Sequence, residues 1–252
     1  MTEQAFKFVN RSSGGELDIR KELLDLFKNT PIPDDEIQFN LGLFLSRQSM
    51  ARFLWMHEIF LKVLNTPGVV MEFGVRWGQN LALFSLFRAI YEPYNYTRKV
   101  VGFDTFEGFA GTSEKDGKAD IIQEGAYGVS PGYETYLDKI LQYHQKEAPV
   151  SHIKKHALVK GDAGESIEKY LRDNPETIIS LAYFNMDIYQ PTVRCLRAMK
   201  NHLTKGSVIG FDELVCPHFP GETTALKDAL GLDNVRLIRQ PYNPYPAYLV
   251  VE

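Results

Sequence analysis

Residues 69–80, Val-Val-Met-Glu-Phe-Gly-Val-Arg-Trp-Gly-Gln-Asn, constrain this chain more than any other stretch. The apolar run Val69, Val70, Met71 ends in Glu72, turns through Gly74 and Gly78, and passes into a helical pattern of Leu81, Leu83, Phe84, Leu86 and Phe87. This reads as a strand, a tight glycine turn and a helix start. Such a turn brings bare backbone and a helix N-terminus close to a ligand, as in the open α/β sheets that hold nucleotide-like cofactors. A dinucleotide fingerprint needs G-x-G-x-x-G so that a pyrophosphate can approach the backbone. Position 76 is Arg and the glycines stand as Gly74-x-x-x-Gly78, which weakens the pyrophosphate reading.

From residue 69 onward strand and helix patterns alternate, which predicts a parallel sheet built by right-handed crossovers. Strands are expected at 69–73, 100–104, 156–160, 178–186, 207–212, 235–239 and 247–251, with helices near 80–91, 133–145, 165–173, 191–202 and 221–231. Pro241, Pro244 and Pro246 lie between the last two strands, as in a closing antiparallel hairpin. Before the sheet, residues 1–66 read as a helical segment. Leu17, Leu23, Leu24, Leu26 and Phe27 mark one helix stopped by Pro31 and Pro33, and Phe44, Met50, Phe53, Leu54, Met56, Ile59, Phe60 and Val63 mark a second. This segment is expected to cap the carboxyl edge of the sheet, where ligands bind in open α/β folds. Residues 67–252 form the main domain. Its one outsized connection, residues 106–132, is rich in glycine and charge and is expected to be a flexible lid facing the substrate.

The 252 residues carry 44% hydrophobic and 24% charged side chains and a net charge of −4, as a globular chain does. A nucleic-acid binder would show a basic face, and the short Lys154-Lys155-His156 cluster runs straight into an apolar strand. Neither a transmembrane run nor the apolar core of a signal peptide is visible, so a cytoplasmic protein without a membrane partner is expected. Cys195 and Cys216 make no metal spacing, and Cys195 falls within a helical pattern that predicts core packing. The apolar N-terminal helices leave a homodimer open.

Acids stand at the ends of the strands. A carboxylate at Asp104 can accept bonds from both hydroxyls of a ribose. Gly161-Asp162-Ala163 follows the third strand, where Asp162 can meet an adenine amine or cap the next helix. Asn185 and Asp187 follow the fourth strand, and Asp212 with Glu213 the fifth. Neighbouring strands are under about 5 Å apart, so these four residues should converge. Carboxylates that close repel unless one is protonated or a cation joins them. Hard oxygen ligands suit Mg²⁺; an uncoordinated acid/base pair and structural ion pairs are the other readings. His218, just after the fifth strand, is a second candidate base.

Taken together, Glu72-Phe-Gly-Val-x-x-Gly, Phe103-Asp-Thr-Phe-Glu-Gly108-Phe, Gly161-Asp162, Asp187-Ile-Tyr-Gln-Pro-Thr192 and Phe211-Asp-Glu213 resemble the macrocin/mycinamicin/novobiocin O-methyltransferase group. The resemblance covers about residues 69–215. It implies a class I Rossmann-like fold and an S-adenosylmethionine- and Mg²⁺-dependent enzyme acting on sugar hydroxyls of antibiotics or polysaccharides. Carried over position by position, Glu72 and the turn of Gly74, Arg76, Gly78 and Asn80 would hold the methionine portion. Asp104, with Thr105 and Phe106 beside it, would hold the ribose, and Asp162 with Ala163 the adenine. Asn185, Asp212 and Glu213 would bind the metal, while Asp187, beside the cofactor, would act as general base. The group usually carries Asp-x-Asp-x-Tyr after the fourth strand and an Asp-Asp pair after the fifth. Here Asn185 replaces the first Asp and Glu213 the last, which removes one negative charge from the metal site.

The expected function is therefore O-methylation of a small glycosyl substrate by an α/β enzyme with a seven-stranded, mostly parallel sheet. A metal-independent small-molecule methyltransferase is the runner-up. A dinucleotide-binding oxidoreductase or a non-catalytic nucleotide-binding module is the reading from a different class.

Overall fold

The computed structural model describes residues 12–252. A seven-stranded sheet runs through it in the order β3-β2-β1-β4-β5-β7-β6. The strands are β1 (Val69–Phe73), β2 (Val100–Asp104), β3 (His156–Lys160), β4 (Ile179–Phe184), β5 (Leu203–Phe211), β6 (Ile238–Arg239) and β7 (Ala247–Val250). The first five pair in parallel, and β7 runs antiparallel to both β5 and β6. This is the sheet that the alternating pattern predicts.

Both faces of the sheet are covered, so its central strands are apolar throughout. Alternate residues of β1 divide between two cores: Met71 and Phe73 face one and Val70 the other. The first core takes its helical half from α6 (Ala163–Asp173), α7 (Tyr189–Ala198) and α8 (Gly221–Leu230), through Ile167, Leu171, Val193, Leu196, Ala225 and Leu226. The second takes Trp55, Met56, Ile59 and Phe60 from α3 (Arg47–Lys62), Leu81 and Phe84 from α4 (Gln79–Tyr91), and Leu137 and Leu141 from α5 (Tyr133–Glu147). Cys195 lies in the first core, as its helical spacing predicts.

Four phenylalanines on adjacent strands fix the register. Phe103 stacks on Phe73 at 5.0 Å between ring centroids, Phe73 on Phe184 at 4.9 Å, and Phe184 on Phe211 at 5.2 Å. They are direct cross-strand partners, and offset aromatic pairs add to the area they bury. The residue after each one stands at the strand end: Asp104 is the last of β2, and Gly74, Asn185 and Asp212 follow β1, β4 and β5. The ladder thus delivers polar groups from four strands to one level at the carboxyl edge.

Where expected boundaries shift, local causes are visible. The fourth strand stops at Phe184 because Asp187 takes a left-handed backbone, φ 63°, that no strand accommodates. The sixth keeps only Ile238–Arg239 in pairing. The helix expected over 191–202 starts at Tyr189 and finishes as a 3₁₀ turn, Met199–His202. In the N-terminal segment, α3 packs on a face of the sheet, while Arg52 near its start reaches Asp212 at the carboxyl edge. Arg98, fully buried, ties the C-terminal end of α3 down by donating to the carbonyls of Val63, Thr66 and Gly68 and to Ser180 Oγ. Helix α1 (Gly14–Lys28) carries a capping box of Ser13 and Glu16 but buries no residue, and the single turn α2 (Asp34–Ile37) follows it.

Residues 106–132, expected as a flexible lid, form a packed wall. Phe109, Ile121 and Ala126 are buried in the first core. Asp116, 1% exposed, accepts from Ser113 N and Oγ and from Tyr189 N. Composition conceals this, because three apolar anchors suffice to hold a loop otherwise made of glycine and charge. Among the described residues no helix is long and apolar enough to cross a membrane.

Phe184→Ala removes the middle of the phenylalanine ladder and is expected to cost about 3–5 kcal/mol. Urea unfolding reads it as a lower midpoint at constant slope, and a cost below about 1 kcal/mol contradicts the ladder's role.

Candidate active site

The carboxyl edge holds a cavity of about 450 Å³. Of the residues expected at a cofactor, Gly74, Arg76, Asp104, Thr105, Gly161, Asp162, Ala163 and Asp187 line it, and Asn185 joins them. Four others stand behind it: Glu72, Gly78, Asn80 and Phe106 are not among its walls. Glu72 is completely buried beneath the turn, where its Oε1 accepts from Asn80 Nδ2 at 2.9 Å and its Oε2 has no hydrogen-bond partner. An expected ligand contact is here a brace for the glycine turn. Gly78 packs against Leu137, whose side chain leaves no room for a Cβ.

The turn itself needs glycine. Gly74 has φ 88°, and a Cβ there would collide with the carbonyl of Asn185. Asn185 in turn donates from Nδ2 to the Gly74 carbonyl at 3.2 Å. Asp104 is fixed by its own surroundings: Oδ2 accepts from Arg76 N at 2.7 Å and Oδ1 from Phe106 N at 2.5 Å. Both donors have left-handed backbones, φ 48° and 58°. Such strain is held where the fold over-determines it, often at binding sites. Each Asp104 oxygen keeps a second lone pair for the cavity. Asp162 caps α6 by accepting from Glu165 N at 3.0 Å, and it also lines the cavity.

The acids beyond β4 and β5 divide. Asp187 lines this cavity, whereas Glu213 and His218 line a second one and Asp212 lines neither. Burial, reinforced by the Glu213 and Asp212 charges, pushes Asp187 up to about 8. Burial and Asp212 push Glu213 to about 7. Asp212 is held by a guanidinium: Arg52 Nη2 donates to Oδ2 at 2.8 Å and Nη1 meets Oδ1. Tyr183 Oη donates to Oδ1 at 2.5 Å and itself accepts from Trp55 Nε1 at 3.2 Å. Burial opposes the Arg52 charge, but Asp212 and its neighbours more than restore it and raise the guanidinium.

Two residues that sequence reasoning passed over organise this region. Arg52 is one, a cation amid the apolar positions of α3. Glu222, fully buried at the start of α8, is the other. Its Oε1 accepts from Met186 N at 3.0 Å and Asp187 N at 3.2 Å, and its Oε2 from Glu213 N at 3.1 Å. One carboxyl therefore pins the loops after β4 and β5 together. The signal was an acid in the first turn of a helix, which usually reads as no more than a favourable dipole contact. Among the described residues, no three His, Cys, Asp or Glu side chains converge as metal ligands.

This sheet order, with its ligand cavity at the carboxyl edge where the strand order reverses at β1 and β4, is the class I S-adenosylmethionine methyltransferase fold. No family model matches the chain, and no curated protein does. Solved structures do. The calicheamicin methyltransferase CalS11 is 43% identical over 96% of this chain and 95% of its own, with a TM-score of 0.93. An apo structure of CalS11, described as a TDP-rhamnose 3'-O-methyltransferase of calicheamicin biosynthesis, is 41% identical over 96% of each chain with a TM-score of 0.85. The O-methyltransferase NovP, 16% identical over 79% of this chain and 78% of its own, shares the fold at a TM-score of 0.58. The chain belongs to the CalS11 family of sugar O-methyltransferases. Family membership removes the oxidoreductase and the non-catalytic binding module from consideration.

Glu72 gives a pH-dependent stability. Burial raises its carboxyl from 4.5 in the unfolded chain to about 8 in the fold. Its contribution is then complete below the lower value and lost as pH rises through the upper one, a loss of a few kcal/mol in order of magnitude. Glu72→Gln keeps the acceptor for Asn80 and is expected to flatten the fall in Tm between those two pH values. An unchanged slope contradicts a buried, neutral Glu72.

Proposed function

We propose that this chain transfers the methyl group of S-adenosylmethionine to a hydroxyl of a deoxyhexose carried on a nucleotide or a natural product. The observation that carries this reading is the 41% identity, over 96% of the chain, with an enzyme described as a TDP-rhamnose 3'-O-methyltransferase. The cavity supports it. Its volume of about 450 Å³ suits a nucleoside cofactor, and Asp104 presents two pre-oriented carboxylate oxygens to a ribose. The Gly74 backbone and Arg76 border the space for the methionine portion, and Asp162 with the Ala163 backbone that for adenine.

The cofactor supplies an activated methyl group. Asp187 is proposed as the general base: a carboxyl raised to about 8 exchanges a proton close to neutral pH, which suits a proton acceptor. Its backbone is locked by Glu222 and by φ 63°, so its position does not have to be found during the reaction. Transfer of the methyl group from sulfur to the acceptor oxygen would release S-adenosylhomocysteine, and the Asp187 carboxylate would take the proton that the oxygen loses. Arg76 sits over the Tyr127 ring at 4.9 Å and its charge favours the ionised form of Asp187.

The residues that would hold a divalent cation are divided in this fold. Asn185, Asp212 and Glu213 carry hard oxygens, but Asn185 lines the cofactor cavity, Glu213 the second one, and both oxygens of Asp212 are engaged by Arg52. A metal-independent form of the same reaction has its own support: Arg52 already neutralises Asp212. Calorimetry with MgCl₂, alongside turnover after EDTA treatment, separates the two. Heat of binding and lost turnover are expected for the cation; no heat and unchanged turnover assign the charge to Arg52.

Asp104→Ala is expected to weaken S-adenosylhomocysteine binding at least about tenfold, since charge-assisted bonds to both ribose hydroxyls disappear. Unchanged affinity would remove the ribose assignment. Asp187→Asn is expected to abolish turnover while S-adenosylhomocysteine still binds. Retained turnover passes the role of base to another group, His218 first.

A further inference from the structure

The second cavity, about 380 Å³, shares no lining residue with the first. It is bounded by Glu16 and Arg20 of α1, Gln48 of α3, Glu213 and His218 from the loop after β5, and the turn before β7. The two cavities nonetheless meet at one structural joint. Glu222 accepts from Asp187 N through one oxygen and from Glu213 N through the other. Glu222 thus ties the loop of Asp187, which lines the first cavity, to the loop of Glu213, which lines the second.

Helix α1 is otherwise difficult to account for. It spans 15 residues and buries none of them. Its ring contact with the body is Phe27 against Phe44, 5.0 Å between centroids. An isolated helix of that length is marginal in water, so it adds little to the stability of either core. Glu16 and Arg20 are four residues apart and share a face, and that face lines the cavity. Arg20 donates from Nη2 to Ser12 Oγ at 2.8 Å, which directs the guanidinium along the cavity rim.

The chemistry of the walls is selective. Arg20 and Gln48 donate, Glu16 and Glu213 accept, and His218 can do either. One arginine against two carboxylates does not favour an anion in this space. Interleaved donors and acceptors do favour a polyol, and the Phe219 and Tyr245 rings give an apolar surface for the C–H face of a pyranose. Glu213 lines this cavity, and its Oε2 is buried without a hydrogen-bond partner.

We propose that the second cavity receives the hexose ring of the acceptor, with Arg20 and Gln48 bonding its hydroxyls, so that α1 selects the acceptor. The inference rests on the methyltransferase reading for the reaction, and on the cavity alone for the sugar. The reactive hydroxyl then passes Glu213 to reach Asp187 and the cofactor cavity, and the substituent on the anomeric carbon leaves between α1 and the turn carrying Pro244 and Tyr245.

The test titrates the whole protein with TDP-rhamnose, both free and saturated with S-adenosylhomocysteine, and repeats this for Arg20→Ala and Gln48→Ala. Arg20 is half-buried and Gln48 exposed, on different helices, so loss of fold is not expected to affect both alike. The proposal expects sugar-nucleotide binding to wild type and at least about tenfold weaker binding to each variant. S-adenosylhomocysteine affinity should stay within twofold. In turnover, the variants should raise the acceptor KM with kcat retained. Equal binding of TDP-rhamnose to all three proteins overturns the proposal, as does its failure to bind wild type in either state. Failure of S-adenosylhomocysteine alone to bind contradicts the methyltransferase reading and leaves the sugar titration to decide the cavity.

Discussion

The stacking of Phe103, Phe73, Phe184 and Phe211 across four parallel strands is the contact on which the rest of the molecule depends. The side-chain period of a strand is two, so a slip of one residue would turn every ring to the opposite face. Four rings in register exclude that slip. They also decide where chemistry can occur, because Asp104, Gly74, Asn185 and Asp212 each follow one of the rings. Core packing and placement of the site are consequences of a single alignment.

Gathering acids at such an edge is costly, since several carboxyls lose water and face one another. The fold offsets this in three ways. Arg52 reaches from α3 to neutralise Asp212, with Tyr183 and Trp55 completing the hydrogen bonding. Backbone amides of Met186, Asp187 and Glu213 satisfy Glu222. Asp187 and Glu213 take raised pKa values, about 8 and 7, and so carry less charge at neutral pH. Perturbed carboxyls of this kind cluster at functional sites, which is what makes Asp187 a candidate base.

Much of this arrangement was legible in the residues. Acids that end apolar runs mark strand ends, so Asp104, Asp162, Asp187 and Asp212 were found from pattern alone, as was the glycine turn at 74–78. The parts that escaped notice depend on distance along the chain. Arg52 and Asp212 are 160 positions apart, and nothing local to either names the other. Glu72 stands one residue before the end of its strand, and alternation carries it to the face shared with Asn80, beneath the turn. The packed wall at 106–132 was hidden for the opposite reason. Its glycines and charges dominate the composition, while Phe109, Ile121 and Ala126 supply the anchoring. The second cavity draws on four separate segments, and no single stretch of sequence announces it.

The central claim is that the carboxyl edge, ordered by the phenylalanine ladder and bordered by Asp104, Asp162 and Asp187, is a cofactor site for S-adenosylmethionine chemistry. Calorimetric titration of the wild-type protein with S-adenosylhomocysteine tests it most directly. The account predicts one saturable site per chain with micromolar affinity. An absence of binding by protein that unfolds cooperatively, and is therefore folded, would contradict it.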